Sequence, residues 1–323
     1  LRQNPEMARA AVLAELIRWD SNGSIRRKLK KDATNTLTSR YVFTWKRQED
    51  GSRIMKCRLT VHGFKDVDRN NLSSYSGTAS SWGQRAVVAT AIQSDWPIAS
   101  LDISQAFLKG LTFDEVQKIR GGPKREVSMV LPRGRPGVEP SGSAILRSVK
   151  GYENFNESCE CLEMLKGGFG LIDAPNLFTM RADAVMKEHD IKPTTADPKI
   201  YLKFENNVLV LMVSTHMDDY KATGKHVTLR WLHEVLKRHF GEVSLSIDKG
   251  SFVHTGIKHQ ILKDEILLEQ YEYASALKPV PAAAMAAFKD SDSLDEKLHA
   301  CFLTLLGAAA WLLQTRLDIM IYV

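Results

Sequence analysis

The chain has 323 residues, of which 44% are hydrophobic and 25% charged, values typical of a globular protein with one large domain or two ordinary ones. Its net charge of +6 suits a polyanionic partner but does not select one, because many basic proteins bind no nucleic acid. The longest apolar stretches are too short to span a bilayer, and four scattered cysteines exclude a disulfide framework. Cys159 and Cys161 lack the spacing of a zinc site, so reduced structural thiols are expected.

The first 40 residues are predicted to be helical and basic. The stretch MARAAVLAELIRW is followed by the cationic run RRKLKK at 26–31, for which a solvated face is favoured over a nucleic-acid contact. Two β-rich runs then flank Glu49-Asp50-Gly51, and Asp-Gly between such runs predicts a hairpin. In the second run, Lys56 and Arg58 are two residues apart and therefore share one side of the strand. Such a pair is typical of a solvent face, although it is also able to hold a triphosphate.

The middle of the chain alternates helices and strands. SWGQRAVVATAIQSDW predicts a helix that ends before Pro97, IASLDI a short buried strand, and SQAFLKG a further helix or turn. Within that turn the simplest interpretation of Phe107 is a core aromatic. Residues 121–160 predict loops and short strands, and DAPNLFTMRADAVMKEH predicts a helix with Pro175 near its start.

The remaining segments continue this mixed pattern. IYLKFENNVLVLMVSTHMDDYKATG predicts two or three strands, and TLRWLHEVLKRHFG an amphipathic helix ending at Gly241. SFVHTGIKHQILKDEILLEQ predicts a hairpin, followed by the Ala-rich PAAAMAAF and a helix over about 294–314. Because the strands and helices lack a strict βα rhythm, the sequence predicts an α+β fold.

Three carboxylates stand where apolar β-type runs end: Asp102 after PIASL, and Asp218 and Asp219 after VLVLMVSTHM. If these strands are neighbours, the carboxylates converge on one edge, where hard oxygen ligands suit Mg²⁺. Two such ions can clamp the attacking and leaving oxygens of a phosphoryl transfer. The spacing alone leaves a second interpretation equally open, in which Asp218-Asp219 is an acidic turn and Asp102 caps a helix.

The motifs together carry a resemblance. KCRLTVHGF, LDISQAFLKG, GFGLIDAPNLF, MVSTHMDDYKATG, FGEVSLSIDKGSFVHTGIKH and LLGAAAWLLQTRLDIMIYV occur in an order that resembles the reverse transcriptase region of copia-type retrotransposon polyproteins, from about residue 40 to 323. The resemblance implies a right-hand polymerase fold with fingers, a palm made of an antiparallel sheet packed on helices, and a partial thumb. It divides the chain into a basic helical lead-in (1–39), fingers and palm (40–260) and a truncated thumb-like segment (261–323), and we expect a fragment of a longer polyprotein.

The resemblance also assigns roles. Asp102 matches the first palm aspartate, and Asp218 and Asp219 match the aspartate pair, so these three would be catalytic and hold two Mg²⁺ ions, with Mn²⁺ as the alternative ion. The dNTP-binding positions would be Lys56 and Arg58, which hold phosphates, Phe107, which excludes a ribose 2′-hydroxyl, and Gly170, Ala174 and Pro175, which support template and nucleotide. The segment FVHTGIKH resembles the part that grips the primer end.

The chain departs from the family at several places. Ile172-Asp173 replaces a Lys-Gln pair, His216 an aromatic residue and Leu317 a proline, and residues 151–168 align poorly. Asp173 is expected to add negative charge near bound phosphate.

The function that the resemblance implies is RNA-directed DNA polymerisation, with an RNA template, a DNA primer and dNTPs as partners and with the integrase and RNase H elsewhere in the polyprotein. We expect an intracellular location, in a cytoplasmic particle or the nucleus, and no membrane partner. A decayed polymerase fold that only binds nucleic acid is the alternative, and a metal-dependent phosphodiesterase is a weaker one.

Overall fold

The computed structural model describes residues 4–48, 50–135, 139–247, 250–280 and 296–323. Antiparallel strands dominate the described sheets and helices pack on them, so the predicted α+β class is confirmed. The described strands are β1 (Ile25–Leu29), β2 (Thr36–Arg47), β3 (Arg53–Val61), β4 (Ile98–Ile103), β5 (Val127–Val130), β6 (Glu160–Met164), β7 (Lys192–Pro193), β8 (Ile200–Glu205), β9 (Val208–His216), β10 (Asp219–Gly224), β11 (Val243–Ile247), β12 (Ser251–His254), β13 (Ile257–Ile261) and β14 (Ile266–Glu269). The described helices are α1 (Pro5–Ser21), α2 (Ser81–Gln93), α3 (Phe113–Arg120), α4 (Gly142–Leu146), α5 (Ala174–Glu188), α6 (His226–Phe240), α7 (Tyr271–Ala276) and α8 (Glu296–Leu312).

The chain forms two compact units, neither of which is continuous in sequence. The first unit contains Leu1–Thr78, Ile103–Lys192 and Leu236–Glu242, and the second contains Ala79–Asp102, Pro193–Val235 and Val243–Val323. A five-stranded sheet in the order β1-β6-β5-β2-β3 belongs to the first unit. A six-stranded sheet, β11-β4-β10-β9-β8-β7, and a three-stranded sheet, β12-β13-β14, organise the second. The predicted division at residues 39/40 and 260/261 stays a prediction.

Helix α1 is part of the core of the first unit. Its apolar side chains recur at helical spacing, and Val12, Leu16 and Trp19 are completely buried. On the same face Glu15 is buried, where its Oε1 accepts hydrogen bonds from Trp19 Nε1 (3.1 Å) and from the backbone N–H of Leu59 in β3 (3.0 Å). Burial raises the pKa of the Glu15 carboxyl, while these two donors oppose the rise. A buried side chain thus fixes α1 to a strand of the sheet.

The cationic run at 26–31 lies mostly in a strand, so the prediction that the first 40 residues are helical is wrong beyond α1. Strand β1 pairs antiparallel with β6, which carries acidic residues. Arg27 contacts Glu160 at 2.9 Å, and Arg26 and Lys28 both contact Glu163. Opposite charges across two strands stabilise the pairing, and the periodicity of an isolated cationic run does not reveal that partner.

The hairpin predicted at 49–51 is confirmed by the pairing of β2 with β3 from Ser39–Val61 to Arg47–Arg53. Gly51 closes the turn with a φ of +82°, a conformation that favours glycine. On β3 the side chains alternate: Cys57 and Leu59 are buried, whereas Lys56 and Arg58 are exposed. The two cations therefore share the exposed face of the hairpin.

The second unit also matches most predicted elements. The turn Asn206-Asn207, with both φ values positive, joins β8 to β9, and β9 continues into β10. The segment predicted as one hairpin forms three strands instead, because Thr255-Gly256 reverses the chain between β12 and β13 before the second turn. The PAAAMAAF stretch lies outside the described residues, and α8 occupies most of the helix predicted at 294–314. None of the described helices has the length and apolarity needed to cross a bilayer.

Candidate functional site

The register of the six-stranded sheet brings the predicted carboxylates together. Asp219 is the first residue of β10 and lies directly opposite Asp102 on β4. It also pairs with His216 of β9, which leaves Met217 and Asp218 as the two-residue turn between β9 and β10. Directly paired residues point to the same face of a sheet, with Cβ atoms about 4.5–5.5 Å apart. Asp102 and Asp219 therefore share a face, and Asp218 is adjacent in the turn.

The backbone of this turn explains the position of Asp218. Met217 has a φ of +60°, as expected in a two-residue hairpin turn of the type that matches the twist of the strands. Tyr220, the next residue of β10 after Asp219, points to the opposite face and is buried. The apolar run before the turn and the buried Tyr220 after it hold the aspartate pair at the end of the sheet, where Asp102 is exposed and Asp218 and Asp219 are half-buried.

The carboxylate of Asp219 is held by the turn between β12 and β13. Its Oδ1 lies 3.1 Å from Nδ1 of His254, and its Oδ2 accepts a hydrogen bond of 3.4 Å from the backbone N–H of Thr255. His254 is completely buried, and neither of its ring nitrogens has hydrogen-bond geometry toward any described residue. The contact with Asp219 is thus a close electrostatic approach. Because both oxygens of Asp219 contact protein groups, the rotation of its carboxylate is restricted.

A buried lysine follows on the same face of β10. Lys221 is 2% exposed, and burial lowers its pKa to about 7. Its Nζ lies 3.1 Å from Nε2 of His259, whose Nδ1 lies 3.0 Å from the carbonyl oxygen of Ile257. A proton on Nδ1 donates to that carbonyl and leaves Nε2 to accept from Lys221. Burial, and then the proximity of Lys221, lower the pKa of His259 to about 3, so the imidazole is neutral.

His216 completes the set of titratable groups around the aspartates. It is half-buried on β9, and burial together with the neighbouring His254 lowers its pKa. From the sequence, His216 is only a departure from the family, and His254 has no predicted role beyond its place in the segment FVHTGIKH. The signal was nevertheless present in SFVHTGIKH, where histidines interrupt a run that is otherwise suited to a strand.

The donor set fits a hard divalent cation. Asp102, Asp218 and Asp219 supply carboxylate oxygens. A Mg²⁺ ion typically binds one or two protein carboxylates and keeps several water ligands. Among the described residues, the group of three whose potential ligand atoms all lie within 4.8 Å of one another is Glu188, His189 and His239, and the three aspartates do not form such a group. Mg²⁺ does not require such closure, because water and phosphate complete its shell.

The exposed cations of β3 lie in the first unit. Lys46, Lys56 and Arg58 lie on the same face of the β2–β3 hairpin. Lys56 pairs with Thr44 of β2, and residues two apart on a strand, such as Thr44 and Lys46 or Lys56 and Arg58, point to the same side. Among the described residues neither Lys56 nor Arg58 forms an ion pair. Partial burial and the neighbouring cations Lys46 and Arg18 lower the pKa of Lys56. An exposed positive face whose cations form no ion pair among the described residues is suited to an anionic ligand.

Phe107 belongs to a row of side chains that includes one of these cations. Its ring contacts the ring of Phe169 edge-on, with centroids 5.4 Å apart, and the guanidinium of Arg58 lies 5.7 Å from the centroid of Phe169. Phe107 is half-buried and packs at the border of the core of the first unit. The structure thus places Phe107 between core and surface, one ring away from Arg58, and Phe169 is a neighbour that sequence analysis did not identify.

Gly170 brings the loop before α5 against the end of β3. A Cβ at Gly170, whose φ is +98°, would meet the carbonyl oxygen of Val61 at 2.0 Å, and the backbone N–H of Val61 donates to the carbonyl oxygen of Phe169 (2.8 Å). Ala174 is buried and Pro175 occupies the first turn of α5. Gly170, Ala174 and Pro175 therefore set the backbone of the loop beside the cationic strand.

The expectation that Asp173 adds charge near bound phosphate is not met, because its side chain is buried in an ion pair. Arg125 donates to Oδ2 of Asp173 (2.8 Å) and to Oδ2 of Asp66 (2.6 Å). Burial raises the pKa of Asp173, and Arg125 opposes that rise. Ile172, the other departure at this position, is exposed. Arg125 is far from both aspartates in sequence, so no local pattern indicates this pairing.

No protein-family model matches the chain. The retrovirus-related Pol polyprotein from transposon TNT 1-94 of Nicotiana tabacum is 25% identical over 266 residues, which cover 80% of this chain and 17% of that protein. The corresponding polyprotein from transposon RE1 of Arabidopsis thaliana is 23% identical, with coverages of 72% and 14%. That from transposon RE2 of Arabidopsis thaliana is 35% identical over 79 residues, with coverages of 24% and 5%. The chain spans less than a fifth of the length of these relatives.

Two solved structures align with most of the chain but have low structural and sequence similarity to it. A foamy viral protease-reverse transcriptase in complex with double-stranded DNA has a TM-score of 0.45 and 11% identity, covering 90% of this chain and 38% of the other. Telomerase from Candida albicans with a fragment of telomeric RNA has a TM-score of 0.42 and 9% identity, covering 96% and 58%. In sequence the chain is similar to the Pol polyproteins of plant copia-type transposons, and the resemblance predicted from its motifs is confirmed.

Proposed function

We propose that this chain is the reverse transcriptase region of a retrotransposon Pol polyprotein and that it transfers nucleotides from dNTPs to the 3′-hydroxyl of a primer. The observation that carries the proposal is the direct pairing of Asp102 with Asp219, with Asp218 in the adjoining turn. A strand end that gathers three acidic residues is electrostatically unfavourable unless a cation compensates it.

Asp102 and Asp218 would hold two Mg²⁺ ions, or Mn²⁺, and such ions would supply electrostatic stabilisation of the charge that develops during nucleotidyl transfer. Asp219 would support them, because His254 and the Thr255 N–H already occupy its two oxygens.

The dNTP-binding residues that the resemblance implies belong to the first unit. Lys56 and Arg58 lie on the exposed face of β3 and would bind the triphosphate of the incoming dNTP. The side chain of Phe107 would lie against the sugar, where a rigid ring excludes a 2′-hydroxyl by collision. Gly170, Ala174 and Pro175 would support the template and nucleotide through the backbone of their loop. An RNA template and a DNA primer are the partners that this assignment requires.

Primer extension on an RNA template with Mg²⁺ and dNTPs tests the proposal. We expect the wild-type chain to extend the primer and Asp218→Asn to abolish extension, because the amide removes a negative ligand at nearly unchanged volume. Asp264→Asn is the matched control: Asp264 is an exposed aspartate in the turn between β13 and β14, and its replacement should leave extension unchanged. Equal activity of Asp218→Asn and the control variant would refute the assignment.

A second function, nucleic-acid binding without catalysis, is favoured by the environment of Asp219. His254 Nδ1 lies 3.1 Å from one oxygen of this carboxylate and the Thr255 N–H donates to the other, so protein groups compete with a metal ion for Asp219. A chain of this kind would bind a primer–template duplex with a strong dependence on salt but would not extend it. Fluorescence anisotropy of a labelled duplex, measured on the preparation used for extension, separates the two functions.

A further inference from the structure

The first unit contains a group of potential metal ligands at the ends of two helices. Glu188 is the last residue of α5 and His189 follows as its C-cap, while His239 lies in the last turn of α6. One ligand atom from each of the three residues can be chosen so that all lie within 4.8 Å of one another. The two imidazoles approach through Nε2, with the nitrogens 3.1 Å apart and the rings inclined at 73°.

This separation is the one that two ligands of a single ion adopt. For Zn–N bonds of about 2.0–2.1 Å, nitrogens 3.1 Å apart subtend an angle of roughly 100° at the metal, close to the tetrahedral value. A direct N–H···N hydrogen bond is the other arrangement with this separation, and it requires one imidazole to be the donor. With a metal, both nitrogens are unprotonated and donate their lone pairs to the ion, and Glu188 adds a carboxylate oxygen as a third ligand.

The backbone around His239 is fixed before any ion binds. Arg181 of α5 donates to the carbonyl oxygen of His239 (3.1 Å) and to that of Lys109 (2.9 Å), and its guanidinium lies 5.5 Å from the ring centroid of Phe240. Phe178 packs against Phe240 with ring centroids 5.6 Å apart. Because the last turn of α6 is held on α5, the two imidazoles need little ordering to meet, which reduces the entropic cost of ligation.

The charges around these three residues have two opposite effects on the binding of a cation. Both histidines lie at helix C-termini, where the carbonyl ends of the peptide dipoles carry partial negative charge. The exposed cations Lys187, Lys237 and Arg238 are in the same turns and repel an ion. Affinity must therefore come from direct ligation, which selects an ion that accepts imidazole nitrogen.

We propose that Glu188, His189 and His239 form a binding site for a transition-metal ion of the Zn²⁺ class, which ties the end of α5 to the end of α6. Imidazole ligands suit Zn²⁺, Co²⁺ and Ni²⁺, whereas Mg²⁺ prefers an all-oxygen shell. Three protein ligands leave a fourth position for water. The site concerns the stability of the first unit, so it stands whether or not the chain is a polymerase.

The test is Co²⁺ and Zn²⁺ binding in the presence of excess Mg²⁺, which occupies all-oxygen sites. The full chain is used with Cys159→Ser and Cys301→Ser, because these two exposed thiols also bind soft metals. We expect one equivalent of Co²⁺ to produce the visible absorption of a four-coordinate ion without a thiolate charge-transfer band. Zn²⁺ should then displace it and raise the midpoint of thermal unfolding.

Variants locate the ion. His239→Ala and Glu188→Gln should each weaken Zn²⁺ affinity by more than about tenfold. Loss of a residue that only hydrogen-bonds to a metal ligand already costs about tenfold or more, and loss of a ligand itself should cost at least as much. His226→Ala, an exposed histidine at the other end of α6, should leave it unchanged. Glu188 is exposed, so Glu188→Gln tests the site even if an alanine variant fails to fold. No binding to the wild-type chain, or equal affinity in Glu188→Gln and His226→Ala, would overturn the proposal.

Discussion

Replacement of Arg125 by methionine should destabilise the first unit by about 4 kcal/mol near neutral pH. Arg125 is the only described cation that contacts the carboxylates of both Asp66 and Asp173, whose side chains are 0% and 5% exposed. Two charge-assisted hydrogen bonds contribute about 1.5–3 kcal/mol each, and the loss of one partner of a buried ion pair costs about 3–5 kcal/mol. Methionine retains most of the aliphatic volume, so the measured loss reports mainly the uncompensated charge.

The loss should depend on pH, with a sign fixed by Asp173. Burial raises the folded-state pKa of Asp173 above its unfolded value, so the folded state binds a proton more readily than the unfolded chain. This group therefore favours folding below both pKa values and opposes it progressively as the pH rises from the unfolded to the folded pKa. Without Arg125, which opposes the rise, the pKa moves further up. The loss caused by Arg125→Met should thus be smaller at acidic pH than at neutral pH.

Guanidinium unfolding followed by tryptophan fluorescence measures the effect, since Trp19 is completely buried in the first unit. Arg133→Met, at an exposed arginine a few residues along, is the matched control and should change stability little. Adding Asp173→Asn to Arg125→Met should restore part of the loss by removing one carboxylate. A loss below about 1 kcal/mol, the size typical of an exposed ion pair, or a loss that does not vary with pH, would refute the reasoning.

Three further substitutions test the site. Arg58→Ala should weaken the use of dNTPs, measured as KM in primer extension, far more than it weakens primer–template binding measured by anisotropy; equal losses would indicate general backbone contact. Phe107→Ala should admit ribonucleotides at some cost in rate, and a large fall in melting temperature with unchanged sugar preference would contradict the gate role. Gly170→Ala should cost several times the stability lost in Gly51→Ala, because both positions have positive φ but only Gly170 has the Val61 carbonyl oxygen 2.0 Å from the added Cβ; similar melting temperatures for the two variants would contradict that packing.

The sequence predicted the positions of candidate site residues where those positions follow from a local pattern. An apolar run followed by aspartate predicted that Asp102 and Asp219 lie at or just past the end of a strand. Asp102 is the penultimate residue of β4, Asp219 begins β10 after the turn that follows β9, and the sheet register pairs the two. The alternation around Lys56 and Arg58 likewise predicted their shared exposed face, because the period of a strand is fixed at two residues. The resemblance added roles that no spacing supplies, such as that of Phe107, and these roles stay predictions.

Local sequence patterns did not predict charge pairs whose two residues are distant along the chain. The run RRKLKK has no strand periodicity of its own, and only the acidic strand β6, more than a hundred residues away, explains why it is extended. Asp173 looked like a stray charge because Arg125 lies 48 residues earlier. His254 faces Asp219 through the fold of β12 and β13 and not through any motif. Tertiary pairing of charges is thus the information that local patterns lacked.

Strand β3 forms one border of the five-stranded sheet, so its outward backbone N–H groups are available for pairing with another chain. Two of them already have acceptors: Leu59 donates to Glu15 of α1, and Val61 donates to the carbonyl oxygen of Phe169. At the opposite border, the arginines and lysine of β1 discourage the approach of a second sheet. The same contacts that position the cationic strand therefore protect the protein from edge-to-edge aggregation.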